Sequence, residues 1–230
     1  MVFKPMFPEV VGASISPRHV VNPLRLLCPR VSVFTGKVEP IDLNKRQLVA
    51  DAGAFAGKTR FRYKDLVLAL GAKVDLSRFP GMPEHAYLIQ NIGDAMLLRT
   101  TIISRTEEAN LETRPEVRRR LLSFVVVGGG YSGVETAGQI LDLFRAIRRY
   151  YPRIKRRNIH VSLIHSCDHI LPTLSRSLGQ YAGDKLRQRG LDLRLNQRVC
   201  AVTASYVQLD GGSRIETHTV ISTIGNAPTP

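Results

Sequence analysis

The most specific chemical signal in this sequence is Gly128-x-Gly130-x-x-Gly133. It follows the apolar run Ser123 to Val127 and precedes a stretch whose Val134, Ala137, Leu141 and Phe144 recur at helical spacing. Between a strand and a helix, each glycine has a mechanical use. Gly128 permits the tight turn, Gly130 lets backbone approach a diphosphate, and Gly133 lets the helix press against the strand. Gly129, Tyr131 and Ser132 complete the turn, and the free amides and positive end of the helix then face the phosphates. The alternative is a glycine turn with a purely structural role. Such units place an acid at the end of the second strand to hold ribose hydroxyls, and here that position holds His165, with Asp168 as a second candidate. Histidine pairs with a 2'-hydroxyl and, protonated, tolerates a 2'-phosphate, so NADH and NADPH both stay open; a histidine lying on the pocket rim without a role is the other reading. Glu135 stands in the first helical turn, where a carboxylate is favoured by the helix dipole.

Other residue groups point to less. His160, His165 and His169 do not make a metal site, because His160 and His165 are an odd number apart on one strand and face opposite ways. Cys28, Cys167 and Cys200 form no C-x-x-C pair, which disfavours a zinc ribbon, a disulfide framework or a local dithiol, so redox chemistry would need a bound cofactor. Residues 114–157 hold eleven Lys or Arg against three acids and supply most of the net charge of +14. Within that stretch, Arg145 to Arg157 interleaves two tyrosines with its charges. That pattern suits a solvated face, an anionic lipid surface or nucleic acid, with nucleic acid the least expected.

These residues need a scaffold, and the periodicity supplies one. Strands are expected at Val31 to Val38, Gln47 to Ala50 and Phe61 to Leu70, after an irregular, proline-rich start. Asn91 caps a helix through about Ala109, and Pro115 opens a short basic turn. Then follow a strand to Val127, a helix from Tyr131, a strand His160 to Ile164, a helix Ser175 to Arg189 ended by Gly190, and a strand Leu191 to Leu195. Val199 to Thr203, Val207 to Leu209 and Ile215 to Ile221 complete the pattern, with Asp210-Gly211-Gly212 as a hairpin turn. At 230 residues, 43% apolar and 23% charged, the chain is long enough for a large core, and disorder is excluded. No apolar run approaches the ~20 residues of a membrane span. Prolines interrupt the place where a secretory signal would need a continuous apolar helix, so a cytoplasmic location is expected.

The segment Leu122-Ser-Phe-Val-Val-Val-Gly-Gly-Gly-Tyr-Ser-Gly-Val-Glu-Thr-Ala-Gly138 resembles the NAD(P)H-binding segment of FAD-dependent pyridine nucleotide oxidoreductases, above all the type II NADH:quinone oxidoreductases. Tyr63-Lys-Asp-Leu-Val-Leu-Ala-Leu-Gly71 is similar to the family's strand beside the flavin nucleotide. Phe79 to His85 with Asp94-Ala95 resembles its inter-domain connection, Thr223 to Pro228 its exit from the nicotinamide domain, and Lys4 to Val10 with Ser16-Pro-Arg18 an early flavin-domain segment. The resemblance implies an α/β, Rossmann-like FAD/NAD(P)-binding fold, a parallel sheet flanked by helices with a small antiparallel β-meander. It divides the chain into a partial FAD-binding domain with its connecting helix (1–113) and an NAD(P)H-binding domain (114–230).

It further implies FAD and NADH (or NADPH) as cofactors and a quinone as electron acceptor, since the dithiol of the disulfide-reductase relatives is lacking. Glu135 would lie near nicotinamide and flavin as the catalytic residue. Pro5, Ala69, Leu70, Gly71, Thr223 and Gly225 would join Gly128 to Gly133 and His165 in cofactor binding. A homodimer is one oligomeric option, and the cytoplasmic face of a membrane a place of peripheral attachment. The family's own first glycine-rich unit, its later Gly-Asp flavin segment and its C-terminal membrane-facing helices have no counterpart within the 230 residues. The chain is therefore expected to be an internal fragment with an incomplete FAD domain, not expected to bind FAD firmly alone. A non-catalytic dinucleotide-binding module is the rival reading.

Overall fold

The computed structural model describes residues 1–54 and 56–228; Phe55, and the last two residues of the expected nucleotide-binding portion, lie outside the described residues. The chain opens with α1 (Phe7–Val11) and α2 (Leu24–Leu27), then β1 (Lys37–Asp42), β2 (Gln47–Asp51), β3 (Lys58–Arg62) and the short β4 (Ala72–Val74). After α3 (Met82–His85) and β5 (Ala86–Tyr87) come α4 (Ile92–Leu111) and α5 (Pro115–Leu121). The central run is β6 (Ser123–Val127), α6 (Tyr131–Ile147), β7 (His160–Ile164), α7 (Arg176–Gln188) and β8 (Leu191–Arg194). Five strands follow: β9 (Val199–Val202), β10 (Tyr206–Leu209), β11 (Arg214–Glu216), β12 (Thr219–Ser222) and β13 (Asn226–Pro228), the last paired with β4. The described residues group into two compact units, one of Met1, Asn22–Ala72 and Pro228, the other of Val2–Val21 and Lys73–Ala227.

In the first unit β1, β2 and β3 form an antiparallel meander, with Leu48 opposite Ile41 on one side and Phe61 on the other. Phe34 meets Phe61 edge to face at 5.0 Å. Two expected strands are corrected here. The run Val31 to Val38 stays irregular until Lys37, and the run Phe61 to Leu70 leaves the sheet at Arg62. The Tyr63 amide still donates to the Arg46 carbonyl at 3.0 Å, but residues 64–70 belong to no strand among the described residues, and Val67 is 87% exposed, with Leu68 and Leu70 also exposed. An apolar run that is not laid against a neighbouring strand along its length has nothing to hold it as one.

The second unit is built on a parallel sheet of order β5-β12-β6-β7-β8. Both faces of its central strands are covered, which is why β6 reads as a continuous apolar run. On one face Phe124, Val126, Leu163 and Ile221 join Leu98 and Ile102 of α4, Ile140 and Phe144 of α6, and Phe7 and Val10 of α1. On the other, Val125, Val127, Ile164 and Val220 pack with Met82 and with Val199, Val202, Val207 and Leu209 of the β9 to β11 meander. Each fully buried side chain of this size contributes about 1.5–3 kcal/mol relative to exposure.

The single strand expected over Ile215 to Ile221 is two strands, because Thr217 turns the chain from the antiparallel meander into the parallel sheet. Its buried hydroxyl donates to the Ser123 carbonyl at 2.6 Å and accepts from the Thr219 amide at 3.0 Å. The α4 boundary is fixed as its residues predict. Asn91 Oδ1 accepts from the Asp94 amide at 3.0 Å, and Asp94 accepts in return from the Asn91 amide at 3.2 Å.

Candidate functional site

Strand order turns at β6. The chain proceeds outward to β7 and β8 on one side, while β12 and β5 lie on the other, so the connections leaving the carboxyl ends of β6 and β12 diverge. In open α/β sheets that divergence is where ligands bind. The glycine turn occupies it.

Gly128 has φ +113°, a conformation that L side chains rarely adopt. Its carbonyl lies so close to Gly133 that a Cβ on Gly133 would come within 1.8 Å of the oxygen, so α6 can reach this depth only with glycine there. Gly130 behaves oppositely: it is exposed, and a Cβ added to it would meet no atom within 4 Å. Open space therefore stands in front of the helix start. No side chain caps α6 at Gly130, and the amides of Tyr131, Ser132 and Gly133 have no intrahelical acceptor. A helix terminus of this kind can accept an anion.

Two side chains brace the turn. Thr223, directly after β12, donates its hydroxyl to the Val127 carbonyl at 2.9 Å, and its amide donates to the same carbonyl at 3.0 Å. His165, directly after β7, lies on Gly129, where a Cβ would come within 2.6 Å of the ring, and its Nδ1 accepts the Gly129 amide at 3.2 Å. The second glycine of the triplet is thus needed for an imidazole, a use that the G-x-G-x-x-G pattern does not assign. With Nδ1 accepting, the neutral ring carries its proton on Nε2, which is buried without a partner. Burial, reinforced by the neighbouring His169, holds the His165 pKa below the ordinary imidazole value.

The loop after β7 closes over this arrangement. The Leu171 amide donates to the Gly129 carbonyl at 2.7 Å, and Leu171 itself has φ +55°, which costs a branched residue about 1–2 kcal/mol. Asp168 lies on the same loop, exposed, and is held by Arg176 at 2.6 Å and by His169 Nδ1 at 2.6 Å. Its pKa is lowered, first by the His169 hydrogen bond and then by Arg176, partial burial opposing both. Glu135 sits one turn into α6. Partial desolvation of its carboxyl and the charge of Glu9 on α1 push its pKa up. One oxygen of Glu9, Oε2, is buried without a hydrogen-bond partner.

The structure therefore gathers Gly128 to Gly133, His165 and Thr223 around one turn, with Glu135 on the same helix. Gly225 has a φ of +91°, and a Cβ there would meet the Asp75 carbonyl at 2.8 Å and Leu76 at 2.7 Å. Pro5 is exposed in the segment that leads into α1. Ala69, Leu70 and Gly71 belong to the other compact unit, on the segment that forms no strand. Leu171 and Glu9 escaped the sequence reading. Among the described residues, no group of three or more His, Cys, Asp or Glu could hold a metal ion, and Cys28, Cys167 and Cys200 are all free thiols.

A parallel sheet with this order, an open glycine turn at its switch point and an uncapped helix define a Rossmann-like FAD/NAD(P)-binding class of fold. The chain belongs to the pyridine nucleotide-disulphide oxidoreductase family, whose model matches residues 1–230. It is 31% identical over 215 residues to the external alternative NAD(P)H-ubiquinone oxidoreductase B4, mitochondrial, of Arabidopsis thaliana, covering 90% of this chain and 37% of that protein. It is 31% identical over 205 residues to the type II NADH:quinone oxidoreductase Ndh of Mycobacterium tuberculosis, covering 87% of this chain and 44% of that protein. Among solved structures, NDH2 from Plasmodium falciparum in complex with NADH superposes with a TM-score of 0.86 at 21% identity, over 99% of this chain and 48% of that one. The same protein in complex with RYL-552 gives 0.90 at 20% identity. The chain thus spans less than half the length of these relatives.

Proposed function

We propose that this chain is the nicotinamide-binding part, with a portion of the flavin-binding part, of an FAD-dependent NADH:quinone oxidoreductase, the two parts meeting near residues 113 and 114. The observation that supports it is the open Gly130 position before an uncapped α6, at the switch point of the sheet. The residues fit a dinucleotide. The amides of Tyr131, Ser132 and Gly133 would hold the diphosphate, and Thr223 and His165 keep the turn in shape from its two flanks. The orphaned Nε2–H of His165 is a donor for a ligand oxygen. Because burial keeps this imidazole neutral and Asp168 adds a carboxylate to the same loop, a 2'-phosphate finds no cationic partner from either residue, which favours NADH over NADPH.

When bound, the nicotinamide and flavin supply hydride transfer and onward reduction of a quinone; the protein contributes placement and electrostatics. Glu135 carries the placement role near the reacting rings. With its pKa raised, its carboxyl holds a proton more readily than an ordinary glutamate. Pro5, Ala69, Leu70 and Gly71 would contact FAD through backbone, and at Gly71 a Cβ would meet nothing within 4 Å, which leaves room for such an approach. The lack of a paired cysteine favours quinone over a disulfide as acceptor. The same reading places the protein peripherally on an anionic membrane surface, since no helix among the described residues is long and apolar enough to cross one. It also carries pairing of two copies, which light scattering measures.

One observation favours the second reading, a dinucleotide-binding module without flavin: Val67, Leu68 and Leu70 are exposed where a flavin-side strand is expected. The deciding experiment is titration of the purified chain with NADH, together with its absorbance near the flavin bands. Gly130→Val is expected to weaken NADH binding by tenfold or more, about 1.4 kcal/mol, with the melting temperature unchanged. NADH affinity indifferent to that substitution would overturn the site. A colourless chain that still binds NADH would select the module without flavin.

A further inference from the structure

The basic run Arg145 to Arg157 has no part in the nucleotide site, yet it borders a defined cleft. A cavity of about 410 Å³ lies between the carboxyl ends of α6 and α7. Leu141, Phe144 and Ile159 make its apolar lining, and Arg145, Arg148, Arg156 and Arg189 its basic lining. The one carboxylate there, Asp142, is already paired with Arg189 at 2.5 Å, and Arg189 also donates to the Gly138 carbonyl at 3.2 Å. Arg156 makes a single long hydrogen bond, 3.4 Å, to the Arg189 carbonyl. Arg145 and Arg148 are exposed and have no ion-pair partner among the described residues. Cations at helix carboxyl ends favour the dipole, which accounts for one arginine per helix. It does not account for three uncompensated guanidinium groups converging on one apolar cleft.

We propose that this cleft binds the anionic headgroup of a membrane phospholipid, its phosphate taken by Arg145, Arg148 and Arg156 and the start of its acyl chain lying against Leu141, Phe144 and Ile159. Charge complementarity selects the anion, the apolar lining selects an amphiphile over a free phosphate, and the volume suits a headgroup with its first methylenes. Nucleic acid is disfavoured because the run offers no pair of open rings for stacking: Tyr151 is packed against the core and Tyr150 already carries a guanidinium on one face. Arg149 covers the Tyr150 ring at 4.8 Å, and the Tyr151 hydroxyl donates to Glu107 at 2.8 Å. The proposal deepens the peripheral attachment inferred above and rests on it.

The test is flotation of the chain with phosphatidylcholine vesicles containing about 30% phosphatidylglycerol, against phosphatidylcholine alone. The triple variant Arg145→Gln, Arg148→Gln, Arg156→Gln is compared with Lys37→Gln, Arg60→Gln, Arg62→Gln, which removes the same charge from exposed positions of the first unit. The cleft variant is expected to lose about tenfold in partitioning and the control less than about twofold, with NADH binding unchanged in both. Equal losses would reduce the effect to net charge and overturn the site, and so would no loss in either. Dihexanoyl phosphatidylglycerol is expected to displace the wild-type chain from vesicles at a concentration about tenfold lower than glycerol 3-phosphate; equal potency would overturn the lipid assignment. Oligonucleotide binding abolished by the cleft variant, with vesicle binding intact, would assign the cleft to nucleic acid instead. Wild-type chain that ignores anionic vesicles while binding NADH would remove both the cleft and the membrane attachment, leaving the nucleotide reading in place.

Discussion

Two segments of this chain look alike as strings: Leu66 to Gly71 and Leu122 to Gly128 are both largely apolar runs ended by glycine. The second becomes β6, with Ser123 to Val127 all buried and paired to β12 and β7. The first leaves the meander and exposes Val67, Leu68 and Leu70 to solvent. Local composition offers both runs the same prospects, and the neighbours decide between them. A strand requires partners for its amides on at least one side and a surface to bury its side chains. β6 has both; residues 64–70 join no sheet among the described residues, and Val67, Leu68 and Leu70 lie exposed.

The largest expected effect probes burial directly. Phe124→Ala empties a site that is 0% exposed and in contact with Phe144 at a centroid distance of 5.2 Å. It should cost about 3–5 kcal/mol by denaturant unfolding, whereas Leu68→Ala should stay within about 0.5 kcal/mol. A large loss at Leu68 would show that the segment is packed in solution and would dissolve the contrast. Glycines of the two regions sharpen it next. Gly133→Ala forces a Cβ against the Gly128 carbonyl and should cost about 3 kcal/mol or more, with loss of NADH binding. Gly71→Ala has open space and strains only a φ of +74°, for about 1–2 kcal/mol. Matched losses would mean that the α6 approach is looser than its geometry.

The smallest effect concerns charge in the crowded unit. The Glu135 pKa is raised above its ordinary 4.5, so the folded state favours the protonated form. The stability this gives is fully present below the ordinary value and is lost as pH rises through the folded one. Glu135→Gln should therefore melt slightly higher than wild type at pH 7, by a degree or so. The difference should vanish near pH 4; a difference of the same size at both pH values would assign it to packing instead.

The sequence-readable part of the molecule is the part held by short-range rules. The β6, α6, β7 succession follows from an apolar run, a glycine pattern and helical spacing, and the α4 start follows from an Asn and an Asp three residues apart. What escaped depends on closure in three dimensions. Glu9 raises the pKa of Glu135 across 126 residues of chain, the His165 ring lies on Gly129 instead of pointing outward, and Leu171 accepts a left-handed backbone in return for one hydrogen bond. The misplaced strands at Val31 to Val38 and Phe61 to Leu70 share a cause with them. Their residue types permit a strand, and the outcome rests on what lies beside them.

The turn in strand order at β6 has an evolutionary consequence. A crevice produced by topology does not depend on the identity of the side chains around it, so substitution can replace most of them while the crevice stays in place. Retention of the fold at a TM-score of 0.90 with one residue in five shared is what such substitution leaves behind.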